Sequence, residues 1–198
     1  MVSVGSNQTP GTGAVKILIA GGFGVGKTTM VGAVSEVPPL RTEEYLTQAS
    51  VGIDDTDGLE TKDSTTVALD FGRITLSMAD LVLYLFGTPG QQRFWFMWND
   101  LALGALGAVV LVDTRRLATS FASIDFFEQR GIPFVVGVNC FDGVHDREEA
   151  EIREALDIAP NIPIVQCDVR ERSSSRDVLV TLIEYLMASA GLSASTRM

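Results

Sequence analysis

Val15-Lys16-Ile17-Leu18-Ile19-Ala20-Gly21-Gly22-Phe23-Gly24-Val25-Gly26-Lys27-Thr28-Thr29 is the stretch that decides the fold. Its first six residues read as a buried strand, and a glycine-rich turn follows without a break. From Thr28 to about Ser35 the pattern is helical, stopped by Pro38-Pro39. Gly21 to Thr28 fits GxxxxGK(S/T), at the strand-to-helix junction where its mechanism works. Gly24 and Gly26 let the backbone curl, so that N–H groups from Gly21, Gly22, Phe23, Gly24, Val25 and Gly26 face an anion. The helix start at Lys27, Thr28 and Thr29 adds its positive dipole end. Lys27 reaches β- and γ-phosphates in such loops, and the Thr28 hydroxyl holds Mg²⁺. The competing explanation is an ordinary glycine-rich turn.

Further along, residues 40–63 show no period and read mostly as loop. Thr66 to Phe71 and Leu81 to Phe86 read as two strands forming an antiparallel pair. A helix is expected from after Gln91 to about Leu103, then a buried strand Ala108 to Val112 ending at Asp113. Helix Phe121 to Arg130, strand Pro133 to Val138, helix Arg147 to Leu156 and strand Ile162 to Gln166 follow in alternation. A last helix, Ser174 to Ser189, places Val178, Leu179, Leu182, Ile183 and Leu186 on one face. Strands alternating with helices give a doubly wound α/β fold with a mostly parallel six-stranded sheet covered on both faces. One domain spans 14–189, between a flexible leader at 1–13 and a flexible tail at 190–198.

The net charge of -10 argues against a nucleic-acid surface and against a polybasic membrane anchor. No apolar run is long enough to span a bilayer, and no signal-peptide, myristoylation or prenylation pattern is present. Cys140 and Cys167 give no disulfide framework, so a cytoplasmic location is expected, with membrane recruitment only through partners.

Three more segments address the nucleotide. Leu83 to Gln92 ends a strand in Gly87-Thr88-Pro89-Gly90-Gln91-Gln92, Val135 to Asp142 ends one in Asn139-Cys140-Phe141-Asp142, and Val165 to Val169 ends one in Cys167-Asp168-Val169. A carboxylate such as Asp142 at a strand end can accept from both the ring N1–H and the exocyclic amine of guanine. Adenine offers no such donor pair, and an unpaired buried carboxylate is costly. A solvated Asn–Asp turn is the bland alternative. In order and spacing these segments resemble the motifs of Ras-like small GTPases over residues 14–188. The Thr-Pro-Gly-Gln string and Thr66-Val67-Ala68-Leu69-Asp70-Phe71 are similar to the bacterial MglA-like branch, particularly its actinobacterial conservon members.

That resemblance implies a GTP/GDP switch with Mg²⁺, slow hydrolysis and stimulation by a partner. It implies that Asn139 tethers neighbouring loops and the base edge, and that Cys167, Asp168 and Val169 present N–H groups to the guanine oxygen. Thr66, with Thr65 as fallback, senses the γ-phosphate through Mg²⁺, Gly90 offers its N–H, and Gln91 orients water. For Gln91 the alternative is a polar helix-start residue. Two departures stand out. Cys140 replaces the usual lysine, whose stem covers the base, and Gly87 replaces the acidic residue that holds Mg²⁺ through a water. Asp113 is either a substitute carboxylate or a strand-end cap.

The resemblance also implies a roadblock-type regulator and a sensor-kinase complex as partners. Phe94-Trp95-Phe96-Met97-Trp98 cannot put every side chain on one helical stripe, so it is either an interface or a wedge in the core. The rival functions are an ATP-dependent phosphotransferase and a non-hydrolysing nucleotide-binding scaffold.

Overall fold

The computed structural model describes residues 13–38, 40–46, 65–76, 81–90, 92–140 and 147–191. Gln91 and Asp142 therefore lie outside the described residues, as do the leader and tail apart from Gly13, Ala190 and Gly191.

The opening strand β1 (Gly13–Gly21) is the centre of a sheet ordered β2-β3-β4-β1-β5-β6-β7. The other strands are β2 (Leu40–Leu46), β3 (Thr65–Leu76), β4 (Leu81–Gly87), β5 (Ala105–Val112), β6 (Phe134–Asn139) and β7 (Ile164–Cys167). β1 runs parallel to β4 and β5, and β5, β6 and β7 continue in parallel. β3 pairs antiparallel with both β4 and β2. Ile17 through Ala20 are wholly buried because both faces of β1 are covered, which is why the strand reads as a continuous apolar run. Alternation divides the apolar side chains into two cores. Ile17, Ile19, Leu83, Leu85 and Leu111 meet α1 (Lys27–Val34) and α5 (Arg172–Ser189) through Val31, Val178, Leu179 and Leu182. Leu18, Ala20, Val110 and Val136 meet α3 (Phe121–Arg130) and α4 (Glu149–Leu156) through Ile124, Phe127, Ile152 and Leu156.

The expected doubly wound sheet is present, extended by one strand. β2 lies in the region read as loop, because Arg41, Glu43 and Glu44 interrupt any apolar pattern and the strand has β3 on only one side. Edge strands carry such charges without losing their ladder. β3 serves two partners in turn: its first half pairs with β2 and its second, from Phe71 to Leu76, with β4.

The helix expected after Gln91 is a 3₁₀ segment, Gln92–Met97, followed by the short α2 (Trp98–Ala102). The aromatic run divides its side chains between core and surface. Phe94 and Trp98 are buried while Phe96 is 60% exposed and Trp95 36%. Trp98 lies edge-on to Phe126, and its indole N–H donates to Pro89 O at 3.0 Å. The run is thus divided, with Phe94 and Trp98 in the core and Trp95 and Phe96 at the surface. Trp98→Ala is expected to cost about 3–5 kcal/mol in chemical denaturation. Trp95→Ala should cost about 0.5 kcal/mol or less.

Candidate nucleotide site

The turn from β1 into α1 has the backbone that its glycines allow. Gly21, Gly24 and Gly26 take positive φ values of 128°, 75° and 108°. At Gly26 a Cβ would fall 2.7 Å from Val169 Cγ2 and 2.9 Å from Asn139 Nδ2, so glycine is required by space as well as by conformation. Gly26 caps α1 without a side-chain hydrogen bond, which leaves the first-turn N–H groups without a side-chain acceptor. Phe23, Gly24, Thr28 and Thr29 are exposed, whereas Gly21, Gly22, Val25 and Lys27 are buried.

Lys27 arches back over this loop and donates to Gly21 O at 2.9 Å and Gly22 O at 2.8 Å. Burial pulls its pKa down to about 8, and the nearby Asp70 carboxylate works in the opposite direction. Below about pH 8 the lysine is charged in both folded and unfolded chains, and above it the folded chain gives up the proton first. Stability of the empty protein should therefore rise with pH from about 8 to 10.5. A phosphate beside Lys27 favours the charged form, so binding there should take up a proton near pH 8–9, with affinity falling by up to about tenfold per pH unit. Calorimetry in buffers of different ionisation heat measures that uptake.

Thr28 shows what the sequence concealed. Its Oγ1 donates to Asp70 Oδ2 at 2.5 Å, across from β3. The register pairing Phe71 with Phe86 sets Asp70 opposite Gly87, and a Cβ on Gly87 would fall 3.0 Å from Asp70 Cβ. A carboxylate from the neighbouring strand thus stands beside Gly87. Thr28 and Asp70 supply hard oxygen donors of the kind Mg²⁺ takes, so the residues fit the ion. Thr28 would hold it and Asp70 would support it from behind; the ion would neutralise charge on phosphate oxygens. Asp113 is not that substitute. It is 1% exposed and caps the 3₁₀ segment Thr114–Thr119, accepting from Arg115 N, and both Arg115 and Arg116 pair with it.

Gly90 closes against the loop, since a Cβ there would meet Lys27 Nζ at 2.7 Å and Phe23 N at 2.9 Å. Thr66 stands in β3 opposite Tyr45, four positions before Asp70, or about 13 Å along an extended strand.

On the base side, Asn139 is 4% exposed and joins two loops. Its Nδ2 donates to Val25 O at 3.0 Å, and its Oδ1 accepts from Val169 N at 3.3 Å. Cys140 packs into the core at 5% exposure, and its N–H donates to Cys167 O at 2.7 Å. Burial, with Cys140 beside it, pushes the Cys167 thiol up to about 12, an inert thiol at neutral pH. The N–H groups of Asp168 and Val169, expected to face the guanine oxygen, donate instead to Ser174 Oγ and Asn139 Oδ1. The Asp168 carboxylate turns to Arg170, which holds its pKa down at about 2.

A glycine-rich loop between β1 and α1, a buried lysine, a threonine–aspartate pair and an asparagine tying loop to base-side turn define a P-loop nucleotide-binding domain. Its fold is that of GTPase G-domains. Residues 19–189 match the family described as conserved hypothetical ATP binding protein, and the chain belongs to that family. A curated relative, the uncharacterized protein MJ1339 of Methanocaldococcus jannaschii, is 32% identical over 177 residues, covering 88% of this chain and 96% of that protein. Among solved structures, the cytosolic domain of the T. maritima FeoB iron transporter in apo form has a TM-score of 0.62 at 15% identity, covering 93% of this chain and 67% of that one. The same domain in a GDP form gives 0.59 at 15% identity, over 87% and 63%. The FeoB G-domain of Methanococcus jannaschii gives 0.58 at 12% identity, over 88% of this chain and 98% of that one. Among the described residues no helix is long and apolar enough to cross a membrane.

Proposed function

We propose that this protein is a GTP-binding switch that hydrolyses GTP slowly and is stimulated by a partner. The observation that carries this reading is Asn139, whose amide bonds the phosphate loop at Val25 and the base-side loop at Val169. A side chain so placed couples recognition of the base to the grip on the phosphates. Asp142, three residues further on, then reads guanine, and Gln91 orients the attacking water. Thr28, backed by Asp70, holds Mg²⁺, and Thr66 approaches when the switch segments order around the γ-phosphate. A guanine ligand agrees with the GDP form of the structurally similar FeoB domain.

The MglA-like placement belongs to the same proposal, with a roadblock-type regulator and a sensor-kinase complex as partners. Exposed Trp95 and Phe96, a few residues after the switch glycine Gly90 in the chain, are where a regulator would dock. Nothing in the composition calls for a nucleic-acid partner or membrane insertion, and we place the protein in the cytoplasm.

The family's description favours a second reading, in which ATP is the ligand. Titrating fluorescent GTP and ATP analogues with and without Mg²⁺, then following phosphate release, separates the two. Tighter GTP binding with slow release supports the switch, and ATP preference overturns it. Tight GTP binding without release, even with a partner added, leaves a scaffold.

A further inference from the structure

Arg115-Arg116 is a basic pair in a chain of net charge -10, and its position gives it a use. The 3₁₀ segment Thr114–Thr119 lies against the phosphate loop. A Cβ on Gly22 would fall 2.4 Å from Thr119 Oγ1, and a Cβ on Gly24 would fall 3.8 Å from Arg116 Nη2. The Arg116 guanidinium thus stands at the side of the loop where Phe23 and Gly24 are exposed.

Its partner in this structure is the buried carboxylate of Asp113, which Arg115 also holds, and more firmly. Arg115 Nε reaches Oδ1 at 2.8 Å and Nη2 reaches Oδ2 at 2.9 Å, while Arg115 N caps Oδ1 at 3.0 Å. Arg116 reaches only Oδ2, at 3.2 and 3.3 Å. Asp113 therefore stays paired and capped if Arg116 leaves it. The backbone departs from helical geometry at Arg116 (φ -144°, ψ 47°), so the two neighbouring guanidinium groups need not move together.

We propose that Arg116 is a phosphate-binding residue, exchanging Asp113 for oxygens of the phosphate chain of a nucleotide held in the loop. The planar guanidinium matches phosphate geometry, and a half-exposed arginine, 49% by side chain, retains the freedom to turn. The inference rests on the nucleotide reading above.

The test measures affinities of fluorescent GTP and GDP for the full chain and for Arg116→Ala, Arg116→Lys, Arg115→Ala and Lys27→Ala. Arg116→Ala is expected to weaken both nucleotides about tenfold and to flatten the salt dependence of binding. Arg116→Lys should recover part of the loss, and Arg115→Ala should stay close to the unaltered protein. The Arg116→Lys comparison also reads the contact if the alanine variant folds poorly. If both Arg116 variants bind like the unaltered protein while Lys27→Ala loses binding, Arg116 is only a partner of Asp113 and the proposal fails. If the unaltered protein and Lys27→Ala bind equally weakly, the nucleotide reading has failed instead, and this inference with it.

Discussion

Replacing Asp70 with alanine is expected to lower Mg²⁺-dependent affinity for a nucleoside triphosphate by about 10- to 100-fold. Binding with the metal chelated should change far less. The Thr28 hydroxyl is fixed by Asp70 Oδ2 at 2.5 Å. A hydroxyl oriented in this way has its lone pairs directed by its own donated hydrogen, and removing the acceptor frees it to rotate. Asp70 also favours the charged form of Lys27, so its loss should depress that lysine further below about 8 and weaken the grip on the phosphates near neutral pH. Titrating Mg²⁺ against a fluorescent analogue reads both effects. An unchanged Mg²⁺ dependence in Asp70→Ala would remove this carboxylate from the metal's surroundings.

The cross-strand geometry supplies a rescue. Gly87→Asp alone should be harmful, because its Cβ would meet Asp70 Cβ at 3.0 Å and Oδ2 at 3.2 Å, and two carboxylates would then compete for one hydroxyl. Combined with Asp70→Ala, the same substitution loses the 3.2 Å approach to Oδ2 and the competing charge, while the 3.0 Å approach between the two Cβ atoms remains and limits the rescue. The double variant should recover part of the lost affinity, since β4 then offers the carboxylate that β3 has given up.

How much of this could be read beforehand depends on the range of the interaction. The apolar runs at 15–20, 108–112 and 133–138 disclosed their strands because both faces of each are covered, and 81–86 did so by its apolar run although Tyr84 is exposed. Leu40–Leu46 did not, since its charged residues suit a strand paired on one side only. The aromatic run after Gln91 had the correct conflict in it, but periodicity could not say that Trp98 would bond Pro89 O or that Gln92–Met97 would take the tighter 3₁₀ path. At the site, the phosphate loop was legible because its chemistry is local, eight residues in a row with fixed roles. The tether made by Asn139 was expected only through the family resemblance, since its bonds to Val25 and Val169 join distant loops. The Thr28–Asp70 pair joins positions 42 apart through strand register, and no local pattern carries register. The Asp113 cap was one of two open readings until Arg115 and Arg116 were seen to hold its carboxylate.

Asp142→Asn is expected to shift preference from guanine toward xanthine nucleotides, changing their ratio by roughly 10⁴-fold. Asp142 lies outside the described residues, but its neighbour in the motif does not. Asn139 ends β6 with both polar atoms of its side chain engaged, so the chain leaves the sheet from a fixed point beside the phosphate loop. In the proposed reading the carboxylate three residues further on accepts twice from guanine, from N1–H and from the exocyclic amine. A carboxamide keeps one acceptor and brings a donor, which conflicts with the guanine amine and matches the 2-oxo group of xanthine. Cys140 sharpens the test. Its side chain is packed in the core, so it gives the base no stacked stem, and discrimination falls more heavily on the hydrogen bonds of Asp142. Competition of GTP and XTP for a bound fluorescent analogue measures the ratio in each protein. Unchanged guanine preference in the variant would take Asp142 out of the base site. A ratio of ATP to GTP above one in the unaltered protein would mean that no carboxylate reads guanine here at all.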